Sequence, residues 1–483
     1  MECTDVDVGG DGPHRRRGRL ESLEAAYAER MKFTREERYE QGRLLRTSAP
    51  RRSHGDWSPV PGRTDVVEVL ERTSENRLPE LVPYRHGRMS QSPFAYLRGS
   101  ADVMAMDLST TPRTGLIVQA CGDAHVSNFG EYATPERNLI FGLNDFDETL
   151  PGPWEWDVKR LAASVEVAMR DNGVAAPERR RAVAEAVGVY RRRMAEFSTL
   201  RTLEVWYSRI DIEAVISFFP PEYRPLVKRD VKKARKKNHL RALSKLTEVV
   251  DGRRRFIEDP PLLVRLEHTE HDLDEVHGMI EGYRASLADD VRALFDRFEL
   301  VDVARKVVGV GSVGTRCWVG LFEGRHHPLG DPLFLQVKEA GMSVLEPYMG
   351  RTGLAHEGLR VVTGQRLIQA ASDLFLGWSE GPKTGRHYYV RQLWDAKGQG
   401  EPGVMEFENL AHYAKLCGWA LARAHARTGD PVMISGYLGK SDVFDQAIAE
   451  WALRYGDQTV TDHGVMLQAI SDGRIEAVIE PDR

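Results

Sequence analysis

The sequence predicts an α+β chain with a mainly helical large lobe and a small β-rich lobe, and two changes of texture carry that reading. From Trp154 to about Leu300 apolar residues recur at helical spacing, as in EAVGVYRRRMAEFSTL. At about Val301 the pattern turns to the β-rich runs VARKVVGVGSVGTRCWVGLFEG and DPLFLQVKEA, then a helix near 356–372 and the strand HYYVRQL. Helical segments return at the end, NLAHYAKLCGWALARAHART and DVFDQAIAEWALRYGDQ. A chain of 483 residues has room for several packed units. The expected organisation is a tail and helical extension over 1–75, a helical lobe carrying the chemistry over 76–300, a small β-rich lobe over 301–395, and C-terminal helices over 396–483 that pack on the helical lobe.

Ahead of the helical lobe, residues 1 to about 19 read as a tail, and Leu20 to Leu45 as a charged helical stretch. Leu78 to Gly99 mixes prolines with Arg85, Arg88 and Arg98, which could contact phosphate or pair with carboxylates. SADVMAMDLS reads as a helix ending before Pro112, and LIVQA at 116–120 as a short buried strand.

A net charge of −5 gives no global attraction to nucleic acid or anionic membrane. The basic run from Lys228 to Arg241 lacks interleaved aromatics and reads as a solvated helix face. No run approaches the ~20 apolar residues of a membrane span, so a cytoplasmic protein is expected. Cys3, Cys121, Cys317 and Cys417 lie too far apart for a zinc or redox motif.

The chemistry concentrates in two acidic segments. CGDAHVSNFG follows the predicted strand and puts Asp123, His125 and Asn128 on one loop, while LIFGLNDFDET presents Asp145, Asp147 and Glu148 at the end of another apolar strand. Three carboxylates there need a cation or donors to offset them. Phosphoryl transfer to a hydroxyl gives such groups distinct tasks. One carboxylate orients the acceptor and takes its proton, while another carboxylate and an amide oxygen hold magnesium. Asp123 and Asn128, five residues apart, match the Asp-to-Asn interval of a kinase catalytic loop, and Asp145, with Asp147, stands where the metal carboxylate follows. His125 could take part in transfer or simply support the loop.

Gly309, Gly311 and Gly314, with Ser312 between them, form GVGSVG between two β-rich runs. That favours a kinase-type hairpin over a dinucleotide fingerprint, which needs a helix at the third glycine. Lys338 ends the next strand, as does the lysine that holds the ATP phosphates in kinases, and Glu346 and Glu357 both qualify by position as its partner.

CGDAHVSN resembles the catalytic loop of aminoglycoside and choline phosphotransferases, and NDFDE is similar to their metal-binding segment. PGPWEWDVKRLAAS resembles the stretch in which an Asp braces that loop, which nominates Asp157. The helix LCGWALARAHARTGD resembles the one that leads into the loop in those enzymes. The resemblance implies a protein-kinase-like, two-lobed fold with ATP and Mg2+ as cofactors. Because the glycine loop follows the catalytic loop, the order is circularly permuted. Lys338 should then point at Asp145 across one cleft, within about 10 Å. The chain also resembles the bacterial family designated domain of unknown function 2252 from about residue 40 to 470. LVPYRHGRMSQSPFAYLRG, KLTEVVDGRRR and ALRYGDQTVTDH are among the matching stretches.

The leading functional expectation is a magnesium-dependent phosphotransferase acting on a hydroxyl of an unidentified, small-molecule acceptor. A nucleotide-binding pseudokinase that regulates a partner is the alternative. A metal phosphoesterase ranks last, because no histidines in ligand spacing accompany Asp145.

Overall fold

The computed structural model describes residues 32–235, 239–266, 270–307, 309–324, 330–393, 398 and 400–480. The N-terminal tail, Cys3, the start of the 20–45 stretch and residues 236–238 of the basic run lie outside them.

The architecture is mixed α and β. Its helical body is built around Trp154–Asp171, which packs with Ala176–Phe197, Phe407–Thr428 and Val443–Ser471. Trp154–Asp171 is buried on nearly every side, including the charged Glu155, Asp157, Lys159 and Arg160. An amphipathic surface helix would not be, so its polar groups must find partners inside. Ala101–Leu108 ends ahead of Pro112 as its sequence implies.

Short strands frame the N-terminal side of this helix: β1 (Ile117–Ala120), β2 (Phe129–Ala133), β3 (Leu139–Leu143), β4 (Leu150–Pro153) and β5 (Ile210–Asp211). β1 pairs with β4, and β2, β3 and β5 form a second small sheet in that order, all antiparallel. Further on come the hairpin β6 (Thr247–Val250) and β7 (Arg253–Phe256), then β8 (Leu263–Arg265), β9 (Phe298–Lys306), β10 (Cys317–Gly324), β11 (Pro332–Glu339), β12 (Gly377–Glu380) and β13 (His387–Gln392). Six of these make one antiparallel sheet in the order β12-β13-β11-β10-β9-β8.

The span from Trp154 to Leu300 is therefore not wholly helical. Asp251 and Gly252 both take positive φ, 51° and 74°, and the Asp-Gly pair turns TEVV back onto RRRF as a tight hairpin. The strand-rich region thus begins near residue 247 rather than 301. Both faces of the six-stranded sheet are covered: one by Phe256, Phe334 and their neighbours, the other by Tyr283, Phe295 and Phe322 on and under Glu270–Ser286 and Asp289–Phe295. No described helix is long and apolar enough to cross a membrane. Cys121, Cys317 and Cys417 are buried free thiols.

Candidate active site

The loop between β1 and β2 carries Asp123, His125 and Asn128. Gly122 enters it at φ 82°, and a Cβ there would lie 2.3 Å from the Glu148 carbonyl oxygen, so only glycine fits. Asp157, in the first turn of Trp154–Asp171 and 1% exposed, accepts the backbone N–H groups of Cys121 at 2.7 Å and Gly122 at 3.0 Å. His425 Nε2 sits 3.2 Å from the same carboxylate, and Tyr190 meets the other side of that ring at 2.9 Å. The amide of Asn128 donates to the carbonyls of Asp123 and Asp145, at 2.9 and 3.1 Å, tying the two acidic segments together.

Arg160, one turn beyond Asp157, meets Asp123 Oδ1 at 2.7 Å and anchors its own guanidinium on the Leu97 carbonyl. Burial alone would raise the Asp123 carboxyl, but Arg160 and its neighbours hold it below the usual range, so it is ionised at neutral pH. His125 lies 3.7 Å from the other Asp123 oxygen. Burial depresses its pKa to about 3 in spite of Asp123, leaving the ring neutral.

The second acidic segment follows β3. Asp145, 41% exposed, accepts the Phe146 N–H through Oδ1, and Asp147 takes the Tyr389 hydroxyl at 2.5 Å. Lys338, 2% exposed, points into this pair with Nζ 2.6 Å from Asp147 and 3.4 Å from Asp145. β11 and β13 set this up, because their register puts Lys338 directly opposite Tyr389. Burial opposes the ammonium charge, yet Asp145 and Asp147 outweigh it and hold Lys338 well above its ordinary range. Residues 193 positions apart thus meet on one cleft. Glu148 turns away and accepts the Val344 N–H at 2.7 Å, while burial pushes its carboxyl up to about 7.

The glycine loop between β9 and β10 reaches the same cluster through Ser312 Oγ, 3.3 Å from Asp147. Gly309 and Gly314 adopt positive φ; Gly311 does not. The loop's carbonyls are held from the helical body. Arg77 donates to Gly311 at 2.8 Å and Val313 at 2.6 Å, Arg88 to Gly309 at 2.5 Å, and the Leu78 N–H to Gly314 at 2.7 Å. Of the arginines flagged in the 78–99 stretch, Arg88 therefore grips the loop and pairs with Glu480 at 2.5 Å.

Neither glutamate proposed for Lys338 reaches it. Glu357 pairs with Arg360 at 2.7 Å, and Glu346 lies 3.9 Å from the same guanidinium. Arg360 sits three residues after Glu357 on one helix, so a neighbouring cation takes the charge that was assigned to the lysine. The same guanidinium donates to the carbonyls of Asp147, Thr149 and Gly341, which fastens the acidic segment to Glu357–Ile368. Arg160, Tyr389 and Arg360 are the site residues that sequence reasoning missed. A signal existed for the first, since Arg160 follows Asp157 at i+3 and must share its helix face.

A family model described as an uncharacterized protein conserved in bacteria, DUF2252, matches residues 77–469. The chain belongs to the DUF2252 family. The match includes both acidic segments, the glycine loop and Lys338, and starts later than the stretch near residue 40 where the resemblance begins. No curated protein and no solved structure matches the chain.

Proposed function

We propose that this DUF2252 protein is a magnesium-dependent, kinase-like phosphotransferase that moves the ATP γ-phosphate to a hydroxyl of an acceptor, and that its two lobes are a circularly permuted kinase arrangement. The observation that carries the reading is the meeting of Lys338 with Asp145 and Asp147 from opposite sides of one cleft. Support also comes from the order β9-β10-β11-β13-β12 with a helix between β11 and β12, and from Asp157 bracing the Asp123 loop.

Magnesium suits the donor set. Asp145, Asp147 and the Asn128 oxygen are hard ligands, and the Lys338 ammonium already offsets the carboxylates, a mark of a place built for positive charge. Bound there, the ion would neutralise phosphate charge. Lys338 would hold the nucleotide phosphates. Asp123, kept ionised by Arg160, would orient the acceptor hydroxyl and accept its proton. The glycine loop would cover the phosphates, with Ser312 at its tip.

The binding-only alternative draws on one contact, because the Asp123 oxygen that faces Arg160 is already engaged. A thermal-shift screen of ATP, GTP and ADP with and without magnesium tests the reading. Stabilisation by a nucleotide that requires magnesium is expected; no shift with any of them rejects it. Binding without transfer to any hydroxyl would favour the pseudokinase.

A further inference from the structure

The six-stranded sheet bears a second concavity, on the face opposite Lys338. Between that face and Glu270–Ser286 lies a cavity of about 230 Å³, with Trp318, Phe322, Leu335 and Val337 on its floor and Met279 and Ile280 in its roof. A cavity of about 150 Å³ lined by such groups suffices to admit benzene. The walls are almost wholly apolar, the usual character of a small-molecule site.

The gap follows from how the helix is fastened. The Ser379 hydroxyl donates to the Met279 carbonyl at 2.6 Å, Tyr283 to the Phe375 carbonyl at 2.7 Å, and the Trp378 N–H to Ser286 at 3.0 Å. All three ties lie at the β12 edge of the sheet. Gly320 occupies the middle of β10, opposite Val303 and Leu335, at a position that points into the cavity. Glycine inside a strand marks a place where another group comes close, and here that group is the Phe322 ring, 2.9 Å from where a Gly320 Cβ would stand, which forms part of the floor.

Charge narrows the class of occupant. Among the described lining residues only Arg316 and Glu275 are charged. Arg316 pairs with Glu339 at 3.2 Å, and Glu275 accepts the Lys383 N–H at 2.9 Å and the Thr384 hydroxyl at 3.0 Å. With both engaged, a charged ligand would be desolvated with no free partner among the described lining residues.

We propose that this cavity binds a small uncharged apolar molecule of bicyclic-aromatic size, at a site separate from the nucleotide cleft. β11 joins the two, with Val337 in the cavity and Lys338 on the opposite face, so occupancy would stiffen the strand that carries the lysine.

The test uses 2-naphthol and its charged analogue 2-naphthoate on the full chain, with calorimetry and thermal shift. Saturable one-to-one binding of 2-naphthol is expected, with 2-naphthoate at least about tenfold weaker. Val303→Phe from the floor and Ile280→Trp from the roof should each weaken 2-naphthol by at least about tenfold while circular dichroism stays native. If one variant fails to fold, the other decides. Absence of saturable binding by wild type, equal affinity in a folded variant, or equal affinity for the charged analogue overturns the proposal. None of these outcomes depends on ATP binding.

Discussion

The two halves of the candidate site are held in different ways. The Asp123 loop is fixed by buried partners of its own lobe: Asp157 on its backbone N–H groups, His425 behind Asp157, and the Asn128 amide across to Asp145. The glycine loop is held from outside its lobe, by Arg77, Arg88 and the Leu78 N–H, and at its tip by Ser312. Buried bonds within a lobe persist whatever the cleft contains, whereas bonds across a cleft exchange when the lobes part. On the proposed phosphotransferase reading, one half is preorganised and the other serves as a cover. A phosphotransferase needs both, a rigid place for the reacting atoms and a movable lid over the phosphates.

The largest effect should come from the rigid half. Asp123→Asn is expected to lower transfer by about 10²–10⁴-fold with nucleotide affinity nearly unchanged, because the role proposed for the residue is to orient and deprotonate the acceptor. Undiminished turnover on an identified acceptor would remove Asp123 from the mechanism. Asp157→Ala should follow, at about 3 kcal/mol or more, since it orphans two buried N–H groups and His425 together. Urea unfolding measures it, and a loss below about 1 kcal/mol would mean that the loop is held by something else.

In the movable half, Arg77→Met should leave global stability nearly intact and speed amide exchange across 309–316 selectively, by about tenfold for each ~1.4 kcal/mol of lost anchoring. Exchange that rises equally in the Asp123 loop would erase the distinction between the halves. The last effect concerns the pH dependence set by Glu148. Its carboxyl, near 7 in the fold and at an ordinary 4.5 when unfolded, binds more proton in the native state across that window. Stability therefore falls as pH rises from about 4.5 to about 7. Glu148→Gln should flatten that slope in denaturation midpoints; an unaltered slope assigns it to another group.

The rigid half was also the more legible in sequence. Asp123, Asn128 and Asp145 lie within some two dozen residues, and spacing on one loop and one strand end constrains them. Lys338 was legible as a strand-end lysine behind glycines. Its partners were not, because Tyr389 is placed opposite it only by the register of β11 and β13. Glu346 and Glu357 misled for a related reason: position on the following helix was considered, but not the competing Arg360 on that helix. The hairpin at 247–256 was missed because helical periodicity around it overrode a local Asp-Gly turn that was present in KLTEVVDGRRR.

The central claim is that Lys338 and Asp145 serve one magnesium-nucleotide site. Calorimetric titration of ATP into wild type and Asp145→Asn, each with magnesium and with chelator, tests it most directly. The account predicts that magnesium tightens ATP binding in wild type and that the carboxamide, which keeps the shape but loses the charge, removes most of that gain. Equal magnesium-dependent affinity in the two proteins would contradict it.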